Sequence, residues 1–308
     1  MRSIPLPSLA LALVATLVAT LGLLGCAPLP TEADAAMEEA DALGEMPTVP
    51  PLYETISLPT ATVHVVTIAD PVRYPVRVAV VDELARVDQI AAEACEGEGC
   101  VAAALNAGFF DPNNGLTTSY VVQDGALVAD PNLNERLVGN PDLATYMDRI
   151  LNRSEFRRYD CEGTPSYDIA LHQAPVPNGC RLVDAVGAGP QLLPQDTSVE
   201  EGFVDRAAGR DALGSQSANA RSAVGLTADG SVVMVMVAQV PGVSPSGMTM
   251  AEVAEVMRDR GVIQALNLDG GSSSTLIYGD TIHYGRLNAN DERVLRPVKS
   301  ILWVENLP

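Results

Sequence analysis

The sequence predicts an α+β (mixed α/β) domain built on a mixed, largely antiparallel sheet flanked by a few helices, and three observations lead to it. Eight segments alternate apolar and polar residues with a period of two. Outside the polar stretch 132–164, two stretches carry a helix signal. Both helices lead into a strand that ends on Ala-Leu-Asn before a glycine turn.

In chain order, strands are expected at Val63 to Ile68, Val76 to Val81, Val101 to Asn106, Ser119 to Val122, Ser222 to Thr227, Val232 to Val237, Val262 to Leu268 and Thr275 to Ile282. The last contains Gly279-Asp280, a hairpin turn. A first helix is expected over Leu84 to Ala94. A second begins at the capping box Thr249-Met250-Ala251-Glu252, continues through the apolar stripe Val253, Val256 and Met257, and stops at Gly261. The polar stretch 132–164 reads as an insertion or lid with a short helix over Leu143 to Phe156. No Pro/Ser-rich linker divides residues 52–308, so they are expected to form one domain.

The N-terminus indicates the compartment. Arg2 precedes the apolar run Leu9 to Leu24, which closes on Leu23-Leu24-Gly25-Cys26, the pattern of a lipoprotein signal peptide over residues 1–25 whose removal exposes a cysteine for lipidation. A run of about 16 residues is short for a bilayer core, which usually takes about 20. Residues 26–51, rich in Ala, Glu, Asp and Pro, read as a flexible tether. The expectation is an exported bacterial lipoprotein held through Cys26 at the outer membrane or the outer face of the cytoplasmic membrane. Its only membrane contact is then that N-terminal lipid.

The formal charge is −20, and losing residues 1–25 removes one Arg and no acid, leaving −21. Nothing resembles a basic stripe, which excludes nucleic acid as a general partner. Setting Cys26 aside leaves an even four cysteines, suited to an oxidising compartment. Sequence-local pairing gives Cys95–Cys100 and Cys161–Cys180, expected to pin loops around a cleft. The oligomeric state is left open.

The chemistry concentrates in Asn267-Leu268-Asp269-Gly270-Gly271-Ser272-Ser273-Ser274-Thr275. A strand ends on a carboxylate and runs into bare backbone and hydroxyls. Two glycines admit a ligand close to the chain, and successive N–H groups can converge on an anion. Either a phosphate or a sugar suits such a loop, and so does a tight turn in which Asp269 caps its own backbone. An echo lies upstream in Ala104-Leu105-Asn106-Ala107-Gly108. If the two units face each other, their glycine turns share one cleft.

Asn106-Ala107-Gly108-Phe109-Phe110 resembles the Asn-Gly-Gly-Phe-Phe motif of the phosphodiester glycosidase family. Gly187-Ala188-Gly189-Pro190-Gln191-Leu192-Leu193 and Asn219-Ala220-Arg221-Ser222-Ala223-Val224-Gly225 are similar to further family segments, in order. Gly247-Met248-Thr249 to Ala254 and the Asn267 to Thr275 loop complete the set. The resemblance spans roughly Asn106 to Val304. Ala107 and Ser272 stand where glycine is usual, and after Arg296-Pro297-Val298 the residues Lys299-Ser300 replace small or amide ones.

The resemblance implies hydrolysis of a sugar-1-phosphodiester in envelope or extracellular glycans, releasing a sugar and a phosphomonoester. It implies Asp269 as nucleophile or electrostatic partner at the anomeric carbon, and Arg221 with the Gly270 to Ser274 backbone at the phosphate. Asn106 and Asn267 orient sugar hydroxyls. Gly108, Gly189, Gly270, Gly271, Ser272, Ser273, Ser274 and Thr275 complete the substrate-binding set. A glycan or sugar phosphate is the expected partner. The alternative is a non-catalytic envelope lipoprotein that binds a sugar phosphate through the same loop. Asp111 and Glu292 are candidate second carboxylates, and His283 is a proton carrier or an ordinary strand residue. No cofactor is required, while Asp269, Asn106 and backbone carbonyls leave room for a divalent cation such as Ca²⁺. The stereochemical outcome, retaining or inverting, stays open.

Overall fold

The computed structural model describes residues 49–307 except 96 and 98. The expected signal peptide, Cys26 and nearly all of the expected tether lie outside the described residues.

Among the described residues, eighteen strands and four α-helices make up an α+β fold. The strands are β1 (Leu52–Ser57), β2 (Ala61–Ile68), β3 (Val76–Ala85), β4 (Val101–Asn106), β5 (Val121–Gln123) and β6 (Ala126–Ala129). Next come β7 (Ser154–Cys161), β8 (Thr164–Leu171), β9 (Cys180–Gly187), β10 (Gln191–Leu193), β11 (Val204–Asp205) and β12 (Arg210–Asp211). The last are β13 (Arg221–Thr227), β14 (Val232–Gln239), β15 (Val262–Asn267), β16 (Thr275–Tyr278), β17 (Thr281–Tyr284) and β18 (Val298–Glu305). The helices are α1 (Val87–Ala94), α2 (Glu135–Val138), α3 (Met147–Ile150) and α4 (Met250–Arg258).

In place of one sheet the strands build three larger ones, in which neighbouring strands run antiparallel. Their orders are β1-β2-β14-β13-β15-β10, β17-β16-β4-β18-β3 and β6-β5-β9-β7-β8. Strand alternation creates the layers. On β14, Met234 and Met236 enter a core shared by all three sheets, while Val233, Val235 and Val237 face the cluster under α4. On β4, Leu105 enters the shared core and Ala104 faces α1. Thr249 accepts the Glu252 N–H and the Glu252 carboxylate accepts the Thr249 N–H, closing the expected capping box. Gly225 lets α4 settle on its sheet, because a Cβ there would lie 2.8 Å from Met257 Cε of that helix.

The stretch 132–164 divides in two. The expected helix over Leu143 to Phe156 is a 3₁₀ turn, Pro141–Tyr146, and one turn of α3 ending at Ile150. From Ser154 the chain becomes β7, flanked by β8 and β9, with Phe156 and Tyr159 each 1% exposed in the interior. The charges of Glu155, Arg157, Arg158 and Asp160 hide this strand from a polarity pattern. Glu155 and Arg157 are nonetheless buried against each other at 2.8 Å.

Both expected disulfides form. Their position corrects the expectation that they border the cleft. Cys100 precedes β4, whose other end is Asn106, about 17 Å of strand away. Cys161 and Cys180 sit opposite each other at the ends of β7 and β9 remote from Ser154 and Gly187.

Candidate active site

The ends of β4, β13 and β15 converge on one loop. Asn106, fully buried, donates from its amide to the Asp269 carbonyl at 2.6 Å and accepts from Ser222 Oγ at 2.7 Å and the Thr275 N–H at 3.0 Å. The Asp269 N–H donates to Ala107 O at 2.8 Å, and the Gly271 N–H to Ala220 O at 2.8 Å. The two Ala-Leu-Asn units therefore do meet. Gly271 has φ +61°, and a Cβ on Gly270 would press to 3.2 Å from Ala220 O. These two glycines let the loop lie flat on β13 and double back through the 3₁₀ turn Gly271–Ser273.

Asp269 is only partly exposed. Desolvation is the largest influence on its carboxyl and raises the pKa from the usual 3.8 to about 6. Hydrogen bonds from the Ser273 side chain and the Gly270 backbone, with the charge of Arg296, oppose the rise without cancelling it. Arg296 donates to Ser272 Oγ at 3.0 Å and lies over the Phe110 ring. Ser274 Oγ and Thr275 Oγ1 are buried and without a partner among the described residues.

Behind the loop, Asn267 donates its side-chain amide to Gly189 O at 2.8 Å and its carbonyl accepts the Gly189 N–H at 2.9 Å. Gly189 has φ +110°, and a Cβ there would lie 2.5 Å from the Glu201 carboxylate. Gly108 donates its N–H to Ser300 Oγ at 3.1 Å and packs on Gly187, whose carbonyl would meet a Cβ at 2.8 Å.

The profile of the phosphodiester glycosidase family matches residues 99–305. The chain belongs to that family. Among functionally curated proteins none matches. In fold the family domain is similar to the catalytic domain of zebrafish N-acetylglucosamine-1-phosphodiester alpha-N-acetylglucosaminidase, auto-inhibited by pro-peptide. The two are 21% identical with a TM-score of 0.58, over 83% of this chain and 82% of that one. A hypothetical protein from Synechocystis is similar at 18% identity with a TM-score of 0.52, over 83% of this chain and 61% of that one.

Within the phosphodiester glycosidase domain, Arg221 does not do what its motif suggested. Its guanidinium is buried and donates to the carbonyls of Met248, Leu213, Gly214 and Ser217 at 2.6–3.2 Å. Its two terminal nitrogens are turned into the 213–217 loop and its Nε to Met248, so it positions backbone. Likewise Asn106 is fully buried with its amide turned to protein partners, so it braces the loop and does not face a sugar hydroxyl. That also removes it from the imagined Ca²⁺ ligand set, and among the described residues no group of three or more His, Cys, Asp or Glu is placed to hold a metal ion.

The second carboxylates are engaged elsewhere. Asp111 pairs with Arg136 at 2.7 Å, and Glu292 accepts from Asn288 in an exposed turn. His283 stacks on His64 with ring centroids 4.2 Å apart, and Tyr53 bonds to both rings. Desolvation first, then the neighbouring His283 and Arg293, lowers His64 to about 4, so this cluster serves packing between β1, β2 and β17. Phe110 is buried against the α1 cluster while Phe109 packs on the central core, the opposite facing expected of strand neighbours.

Two cations escaped the sequence reading. Arg296 was visible in Arg296-Pro297-Val298 but carried no assigned role. Arg286, bonded to Asn219 Oδ1 beside Gly271, has no motif around it.

Proposed function

We propose that the domain hydrolyses a sugar-1-phosphodiester linkage in glycans outside the cytoplasm, with Asp269 as the carboxylate that meets the anomeric carbon. The observation that carries this reading is the desolvated Asp269 at the mouth of a glycine-serine loop, its backbone braced on both sides and its carboxylate not braced to match. A phosphomonoester leaves readily, so the site needs little from a general acid. It needs negative charge against the oxocarbenium-like centre and donors for charge growing on the phosphate. A carboxylate short of solvent gains more from a developing cation than one in water does.

Arg296, with Arg286, takes the phosphate role first given to Arg221, because the N–H groups of Gly271, Ser273 and Ser274 are already bonded to the carbonyls of Ala220, Gly270 and Gly271. Water adds to the anomeric carbon as the bond to the phosphate oxygen breaks, the phosphomonoester departs with the electron pair, and one proton is released. The two disulfides and the Cys26 lipobox support an exported, lipid-tethered protein.

The test is a panel of sugar-1-phosphodiesters with the parent and Asp269→Asn. The parent releases free sugar from at least one of them, and the variant is slower by roughly a hundred- to a thousand-fold, about 2.7–4 kcal/mol. A parent that binds the panel and cleaves none of it supports the sugar-phosphate-binding alternative.

A further inference from the structure

A cavity of about 820 Å³ shares no lining residue with the Asp269 loop and is lined by Tyr120, Asn152, His172, Gln173, Gln191 and Glu201 among others. Its size falls within the roughly 300–1,000 Å³ of small-molecule sites. Nothing in the Asp269 chemistry uses it.

One wall carries an imidazole whose orientation is fixed from three directions. Glu155, buried at the start of β7, accepts from or donates to His172 Nδ1 at 2.6 Å through one carboxylate oxygen. Its other oxygen accepts from Arg157 Nε at 2.8 Å. Arg157 in turn donates to the carbonyls of Leu171, His172 and Ala174 at 2.6–2.9 Å, pinning the turn on which the histidine stands. Tyr120 stacks on the imidazole with centroids 3.7 Å apart and planes 6° from parallel, and Asn132 donates to the Tyr120 hydroxyl at 2.8 Å. The ring's second nitrogen, Nε2, has no hydrogen-bond partner among the described residues, and the side chain is 32% exposed. With Nδ1 bonded to the carboxylate, Nε2 is left to exchange a hydrogen bond with a ligand hydroxyl, which can either donate to it or accept from it. Packing alone asks for no such arrangement. Sites that bind or react are held by supporting residues in this way.

The surroundings select the ligand. The carboxylates of Asp148, Glu200 and Glu201 outnumber the one guanidinium of Arg149, which disfavours a phosphate or any other anion. The amides of Asn152, Gln173 and Gln191 each offer donors and acceptors, which disfavours a hydrocarbon. A ligand with many neutral hydroxyls and apolar C–H faces fits both conditions. We propose that this cavity binds an uncharged oligosaccharide segment, with His172 Nε2 as the atom that bonds and selects one of its hydroxyls. Glu155 is the positioning residue that keeps that nitrogen available. The site would hold the protein on a glycan independently of cleavage.

The experiment reads binding without turnover, so its result stands whether or not Asp269 hydrolyses a phosphodiester. The full chain is titrated with maltotriose, N-acetylchitotriose and mannotriose while the imidazole signals are followed by NMR. The chain has three histidines, and the other two are His64 and His283. At least one trisaccharide shifts the His172 signals saturably and leaves those of His64 and His283 in place. His172→Ala weakens that binding tenfold or more. Glu155→Gln moves the His172 nitrogen shifts toward the other tautomer and also weakens binding, and Glu155→Asp restores part of both. Should the alanine variant not fold, the shifts in the parent decide alone. No trisaccharide perturbing His172, or His172→Ala binding as the parent does, overturns the proposal.

Discussion

Glu201 and Asp269 are two carboxylates that the protein treats in opposite ways. Glu201 accepts from the Ser154 N–H and hydroxyl, the Gln191 N–H and the Thr197 hydroxyl, and the buried Arg153 lies beside it. Four donors satisfy its lone pairs, so the charge is stabilised where it sits. Asp269 receives hydrogen bonds from the Ser273 side chain and the Gly270 backbone only, and burial raises its pKa to about 6. A carboxylate with all its donors supplied is a building element. One left short of them holds free energy that a passing cation can release.

The comparison can be broken at either carboxylate. The largest effect on stability is expected at Glu201→Ala, which strands four donors and the Arg153 charge in the interior. Chemical denaturation should show a loss of at least about 3 kcal/mol. An intact midpoint would mean that Glu201 is not the structural member of the pair.

The arginines provide the next contrast. Arg221→Ala leaves four carbonyls short of a donor, and a stability loss of about 2–3 kcal/mol is expected by denaturation. Arg296→Ala, on a partly exposed side chain, should barely move the unfolding midpoint. It should instead raise KM for a cleaved phosphodiester roughly tenfold or more, consistent with about 1.5–3 kcal/mol for a hydrogen bond to a charged group. Reversal of the two phenotypes would return the phosphate to Arg221.

Much of this was legible in the sequence. The Asp269 loop, the pairing of the two Ala-Leu-Asn units, the capped helix α4 and both disulfides follow from local patterns that the fold leaves intact. The roles of the polar residues were legible only in part. Arg221 in its motif and Arg296 in another look equally able to bind phosphate. Only the 213–217 loop, brought beneath Arg221 by tertiary folding, decides between them. The same holds for Asn106, whose amide is consumed by Asp269, Ser222 and Thr275 from three distant segments. Of the third sheet only β5 was expected; its central strand β7 went unseen because it buries a Glu–Arg pair, and a charged residue in a sequence reads as surface.

The smallest effect is one of pH. If the ionised form of Asp269 is the active one, turnover should rise with pH through an acid limb centred near 6, falling about tenfold for each pH unit well below it. A limb centred near 4 would indicate a carboxylate as well solvated as an ordinary surface one.

The most direct measurement is the unfolding free energy of Asp269→Asn against the parent at pH 7 and pH 4. A carboxyl raised from 3.8 to about 6 on folding is protonated in both states below 3.8, so it costs nothing there. Between the two values the native state keeps a proton that the unfolded chain has lost, and the cost grows with pH. Above 6 it is complete, on the order of 3 kcal/mol. The variant should therefore be more stable than the parent at pH 7 by up to that amount, with most of the difference gone at pH 4, while its turnover falls by orders of magnitude. A variant less stable than the parent at pH 7 would show Asp269 to be a second Glu201, a structural acid, and would contradict the account.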